Sequence, residues 1–344
     1  MARPNRGVVF TPEEIAIVHV MNRTSRRCFL LGDDPLTGKN YDHRKVWVEN
    51  RLRMQAAWFG IDLLSYSVLS NHFHLVLRSR PDVVATWDDT EVARRWLMLC
   101  PKRKDANGSP EEPNEFELNS IRNNAEQLAE IRSRLSDISW WMRMLSQNIA
   151  QRSNRDDGES GRFWQGRFKA VRIIDEISLL ACAAYVDLNP IRAAMAEPLE
   201  GSDFTSIQKR LEDLKNPSAR AAGFLSPVDL EEQAGKIGPC VHADGRRCSD
   251  KGFLPMTAAA YAELLDWTAR QVRADKRGAS PAGLAPLFER LGIHEQTWID
   301  LVNDFGRLFY VVAGRPQNIE EHRPPRGDCR FKVRPAARDL LTTA

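Results

Sequence analysis

IDLLSYSVLSNHFHLVLR, residues 61–78, is the stretch on which the reading of this chain turns. Residues 61–69 are rich in aliphatic and β-forming side chains, Ser70-Asn71 supplies turn chemistry, and 72–78 is a second apolar run. Two strands returning on each other are expected. Side chains two apart in a strand share a face. His72 and His74 therefore point the same way, about 7 Å apart by strand rise, while Phe73, Leu75 and Leu77 face a helical layer. Two imidazoles on one exposed face form a competent half of a metal site. On its own the pair is a weak signal, because two histidines on a surface strand usually bind nothing.

Working outward, residues 15–22 (IAIVHVMN) read as a strand, followed by a loop with Gly32, Pro35 and Gly38. Val46, Val48, Leu52, Ala56 and Ala57 have helical spacing, so 42–59 is expected as a helix that stops at Gly60. A helix from Asp82 to Cys100 precedes 101–116, an exposed excursion or lid dense in Pro, Gly, Asn and charge. Residues 118–135 read as a polar helix and 138–152 as a stronger one. The second half of 163–174 is a strand candidate. Asp175 can cap a helix over 176–188 that ends before Asn189-Pro190, and a short helix runs from Ile191 to Ala196. Beyond 200, loop formers dominate 215–255. Helix returns at 256–275 and in two or three short pieces over 282–313, before a basic, Pro-punctuated tail. No internal repeat is visible. The division expected is an α+β unit over 1–200, with an insertion around 101–137, and a mainly helical region over 201–344.

The bulk numbers narrow the class. The 344 residues, 42% hydrophobic and 28% charged, suit an ordinary globular protein of one large domain or two modest ones. A net charge of +3 does not by itself announce a nucleic-acid binder. No run approaches the ~20 apolar residues of a membrane span, and the start lacks a secretory signal. The six cysteines (28, 100, 182, 240, 248 and 329) include no CxxC pair. A reducing cytoplasm is the expected setting. Cys240, His242 and Cys248 in CVHADGRRC fit no common zinc spacing. No GxGxxG or P-loop occurs, so nucleotide-dependent chemistry finds no support. His19 and His43 read as structural or solvated, and Tyr66 as core.

Two further stretches carry chemistry. In AAYVDLNPIRAAM, Tyr185 and Asn189 stand at i and i+4, one turn apart on one helix face. A phenol oxygen and an amide carbonyl there can bring a nucleophile and a third metal ligand to one point. The plainer account is a packed Tyr and an Asn-Pro helix terminator. In GRFWQGRFKAVR (161–172), Arg162, Arg167, Lys169 and Arg172 occur with no acid, interleaved with Phe163, Trp164 and Phe168. Such a mixture suits a groove where cations follow phosphates and rings stack on bases. An apolar core with solvated charges is the competing account. Arg23, Arg26 and Arg27 form a second basic cluster, and Arg78, in register with the histidines, adds a cation near the expected cleft.

Taken together, VMNRTSRRCFLLGD, SVLSNHFHLVL, GRFWQGRFKAVRIIDE and AAYVDLNPIRAAM resemble, in order and over roughly residues 10–210, the single-tyrosine HUH transposases. The likeness is greatest to the REP-associated tyrosine transposases. The resemblance implies a ferredoxin-like antiparallel sheet with helices packed on one face, His72 and His74 as the HUH pair, Tyr185 as nucleophile, and Asn189 completing a metal site. Mg²⁺ or Mn²⁺ is the ion expected, with Zn²⁺ also admitted by imidazole ligands. The implied partner is single-stranded or hairpin DNA with repetitive palindromic ends, bound by a monomer or homodimer, with no membrane partner. The implied reaction is nicking through a 5′-phosphotyrosine and rejoining by a 3′-OH, without ATP. Two other functions remain open from the sequence: a non-catalytic DNA- or RNA-binding regulator on the same fold, and an HUH replication or mobilisation initiator.

Overall fold

Strands buried on both sides organise this molecule. The computed structural model describes residues 7, 9–25, 28–193, 201–230, 239–242, 244–272, 284–322 and 331–342. In chain order the elements are β1 (Ile17–Arg23), α1 (Asp42–Trp58), β2 (Ile61–Val68), β3 (His72–Ser79), α2 (Pro81–Val84), α3 (Asp89–Leu99), α4 (Glu115–Arg122), α5 (Ala125–Ser136) and α6 (Ile138–Asp157). There follow β4 (Lys169–Ile173), α7 (Glu176–Asp187), α8 (Asn189–Arg192), α9 (Ser206–Lys215), α10 (Ala258–Val272), α11 (Ala285–Leu291), α12 (Glu295–Leu308), β5 (Val312–Ala313), α13 (Pro316–Glu321) and α14 (Pro335–Thr342). The strands form one open sheet in the order β2-β3-β1-β4-β5, antiparallel except that β5 runs parallel to β4. The class is mixed α+β.

The expected hairpin at 61–79 is present. Val68 pairs with Phe73 and Ser67 with His74, and the register shifts once, between Leu63 and Ser65. Directly paired residues point to the same side of a sheet, so Tyr66 and Leu75 share one face while Ser67 and His74 share the other. On the first face lie α1 and α6: the Tyr66 hydroxyl donates to Glu49 of α1 at 3.0 Å, and Gln55 of α1 donates to the Trp141 carbonyl of α6 at 2.9 Å. On the second face lies α7, whose Asp187 accepts from the Ser65 hydroxyl at 3.1 Å.

Helices therefore cover both faces, which corrects the expectation of one helical layer and one exposed histidine face. The reason is local. All eight residues of β2 are buried, and the positions facing α7 include Ser65 and Ser67, of which the Ser67 hydroxyl has no hydrogen-bond partner. The Ser65 hydroxyl is satisfied inside the protein by Asp187 and by Ser206 of α9, so a polar position is buried at little cost.

α7 starts where Asp175 accepts from the Ser178 amide at 3.0 Å, and it is buried almost all round. A helix of that kind needs partners on two sides. One is the sheet, and the other is α12, whose buried stripe is Trp298, Leu301, Val302, Phe305 and Leu308. The region past 200 is mainly helical, but it also supplies β5 to the sheet, α9 against β2 and α12 against α7. The 101–114 excursion is mostly exposed. α4 after it begins with a full capping box, the Asn114 side chain taking the Glu117 amide and Glu117 taking the Asn114 amide.

Candidate functional site

β3 and α7 bring three of the sequence-predicted residues together. The His72 and His74 rings meet edge-on with centroids 5.1 Å apart, and the Tyr185 ring stands edge-on to His74 at 5.5 Å. A fourth residue, His19 of β1, was read as structural or solvated. It belongs to this cluster. Its ring lies nearly parallel to His74, with Nε2 2.8 Å from His74 Nδ1, and it meets Tyr185 edge-on at 6.0 Å. His19 falls on this face because Met21 pairs with His74 across β1 and β3, placing His19 diagonally beside it.

Hydrogen bonding orients both strand histidines. The His72 Nδ1 shares a 2.7 Å contact with the Asn71 side-chain oxygen. That oxygen only accepts, so Nδ1 carries the proton and His72 Nε2 keeps its lone pair. His74 is 1% exposed, and its Nε2 is buried without a hydrogen-bond partner. Two imidazoles each engaged through Nδ1, with Nε2 unengaged in one case and bare in the other, are a donor set that fits a divalent cation.

The electrostatics suit neutral ligands. Burial pushes His72 down to about 4, with Arg23 adding to the shift, and burial alone pushes His19 down to about 4. His74 is held well below the ordinary imidazole range, first by burial, then by His19, His72, Arg192 and Arg23. All three shifts favour the neutral ring. Burial raises the Tyr185 phenol, while the charge and hydrogen bond of Arg192 pull it down.

Asn189 opens α8 one turn beyond Tyr185. It is 8% exposed, and its amide nitrogen has no partner. Arg192, not anticipated as a site residue, lies 4.8 Å from the Tyr185 ring centre and also bonds the Asn303 carbonyl of α12. Its signal was present in the sequence: 185, 189 and 192 are i, i+4 and i+7, one helical face. From α12, Phe305 packs on the Tyr185 ring at 5.7 Å. Gly306 approaches so closely that a β-carbon there would stand 2.9 Å from the phenol oxygen.

The expected DNA contacts separate into four groups. Arg23, Arg162, Arg167 and Lys169 are exposed. Arg78 is instead buried and committed: it pairs with Asp62 at 2.6 Å and donates to the Gly252 and Lys251 carbonyls. Arg172 is half-buried and clamps Glu14 with two 2.8 Å contacts. These two are corrections: Arg78 answers Asp62 directly across the β2–β3 hairpin, and Arg172 answers Glu14, 158 residues away in the chain. Arg26 and Arg27 lie outside the described residues. Trp164 is buried, edge-on to Phe73 and Phe163, with its indole N–H given to the Ser146 carbonyl at 2.8 Å. Phe163 and Phe168 are buried too, so these rings serve mainly the core. One edge of Trp164 still reaches a cleft of about 470 Å³ that also holds Trp140, Arg143 and Arg167.

In CVHADGRRC, Cys248 and His242 are directed to Asp62 and Asp250, at 3.1 and 2.7 Å. No helix among the described residues is long and apolar enough to cross a membrane.

No family model and no curated protein matches this chain. Among solved structures there is a match to one described as "Structure of the REP associates tyrosine transposase bound to a REP hairpin". It is 12% identical and covers 63% of this chain and 87% of that one, with a TM-score of 0.35. A likeness that low adds no weight to the geometry above.

Proposed function

We propose that this protein nicks and rejoins single-stranded or hairpin DNA through a 5′-phosphotyrosine on Tyr185, with a divalent ion held by His72, His74 and Asn189. The proposal places it with the single-tyrosine HUH transposases. The observation that carries it is the edge-on meeting of Tyr185 with His74, whose outer nitrogen is buried and unpartnered. The central order β2-β3-β1-β4, with α1 and α6 on one face, supports a ferredoxin-like reading of those four strands. β5 and the α7–α12 layer are additions to it.

The chain's residues supply most of the chemistry. A phenol is a weak nucleophile at neutral pH, with an ordinary pKa of about 10. Arg192 over the ring favours the phenolate and opposes the effect of burial. Tyr185 Oη forms a bond to phosphorus as the bond to the departing 3′-oxygen breaks. The phenol gives up one proton and the 3′-oxygen takes one up. In the reverse sense, an incoming 3′-OH attacks the phosphotyrosine and restores the phenol, so the phosphodiester energy is conserved. A Mg²⁺ or Mn²⁺ ion held by His72, His74 and Asn189 would supply charge neutralisation of the phosphodiester. Arg23 beside His72, with Arg162, Arg167 and Lys169, offers exposed cations for the backbone.

The test is Tyr185→Phe against 5′- and 3′-labelled single-stranded hairpin DNA with Mn²⁺. The wild type is expected to give a cleaved 3′-OH strand and a covalent protein adduct, and the variant neither, with an unchanged circular dichroism spectrum. Cleavage or adduct retained by the variant sinks the assignment. Binding without cleavage by the wild type favours the regulator instead.

A further inference from the structure

We infer that His19 is a positioning residue for His74: it takes the Nδ1 proton of His74 in a hydrogen bond and so leaves His74 Nε2 as a bare donor nitrogen. This rests on the reading of His72 and His74 as metal ligands and extends it to a residue outside the His-x-His pair.

The argument is one of protons. Two ring nitrogens 2.8 Å apart must share one hydrogen. With none, two lone pairs face each other, and with two, the hydrogens collide. Only two arrangements remain. In one, His19 donates and His74 carries its proton on Nε2, where the fold provides no acceptor. In the other, His74 donates from Nδ1, its Nε2 is a lone pair directed into the site, and His19 carries its own proton on Nδ1, an atom that is not buried without a partner. The first buries an N–H without a partner, which folded proteins avoid. The second leaves the nitrogen ready for a cation and matches the state Asn71 imposes on His72 from its own Nδ1 side.

The geometry makes His19 an orienting group and not a third ligand, because its Nε2 is turned to the back of His74 and not toward the outer nitrogen. The near-parallel rings, 7° apart in plane and both buried, leave His74 little freedom to swing. Outer partners that fix tautomer and ring orientation are the usual companions of metal-bound histidine.

The experiment combines two measurements on wild type, His19→Phe and His19→Gln. Nitrogen-15 NMR of the histidine side chains, on metal-free protein near pH 7, reads the tautomer of His74. Electron paramagnetic resonance titration reads Mn²⁺ affinity. Expected results are His74 with Nδ1 protonated in the wild type, loss of that preference in His19→Phe, and a Mn²⁺ affinity weaker by roughly 10- to 100-fold. His19→Gln, whose amide oxygen can accept the same proton, is expected to restore most of both. His74 protonated on Nε2 in the wild type overturns the inference, as does His19→Phe binding Mn²⁺ like wild type. Should His19→Phe fail to fold, the wild-type tautomer and His19→Gln still decide. Should the wild type bind no Mn²⁺, the metal reading falls, while the His74 tautomer still reports on His19 alone.

Discussion

Burial that favours the neutral form of three clustered imidazoles, His72 only half-buried among them, sets a pH signature at the scale of single residues. His19 and His72 are each pushed down to about 4 by burial, against an unfolded value near 6.5. Between those values the unfolded chain binds protons that the folded chain refuses, so stability rises with pH across this window and is lost as pH falls. With metal removed by chelator, each of the two is expected to cost about 1 kcal/mol per pH unit on going from pH 6.5 toward 5. Urea unfolding at pH 7, 6 and 5 measures this, and His19→Phe should flatten the slope by about one proton. A stability that holds level or improves on acidification would mean the rings take up charge freely.

At the scale of elements, α12 is the wall against which Tyr185 is set. Phe305 lies on the phenol ring and Gly306 leaves room for its oxygen. Gly→Ala inside a helix ordinarily stabilises by about 1 kcal/mol. Here the new β-carbon would stand 2.9 Å from the Tyr185 oxygen, closer than such contacts occur. Gly306→Ala is therefore expected to destabilise the wild type and to stabilise the Tyr185→Phe background, where the oxygen is gone. A double-mutant cycle by urea unfolding reads the difference. An equal effect in both backgrounds would remove α12 from contact with the phenol.

On the scale of the whole molecule, the residues past 200 complete the core. The fully buried Asp187 is satisfied by Ser65 and also by Ser206, the Ile207 amide and Tyr261. β5 extends the sheet beside β4, and α9 covers β2. A fragment of residues 1–200 would leave that carboxylate without most of its partners and strip Phe305 of α12 from the His19 and Tyr185 rings. Such a fragment is expected to lack a cooperative thermal transition and to bind ANS. A sharp melt would instead show that the first 200 residues close a core of their own.

How much of this could be read beforehand follows from the range of each interaction. Period and capping are local, so the 61–78 hairpin, the Asp175 cap and the 176–187 helix were legible within a residue or two. The shared direction of His72 and His74, and the single helix face of Tyr185 and Asn189, needed only backbone geometry. Arg192 belongs to that same face by its i+7 spacing from Tyr185. His19 could not be assigned, because its partner is chosen by strand register between residues 55 apart. The Arg78–Asp62 pair follows from the hairpin register, whereas the Gly252 and Lys251 carbonyls that also hold Arg78 are distant in the chain. The amino-acid order alone thus determined the local elements and the chemical types at the site. Which ring meets which, and that α12 lies over the phenol, was decided only by tertiary packing, because burying an apolar helix such as α7 requires partners distant in the chain.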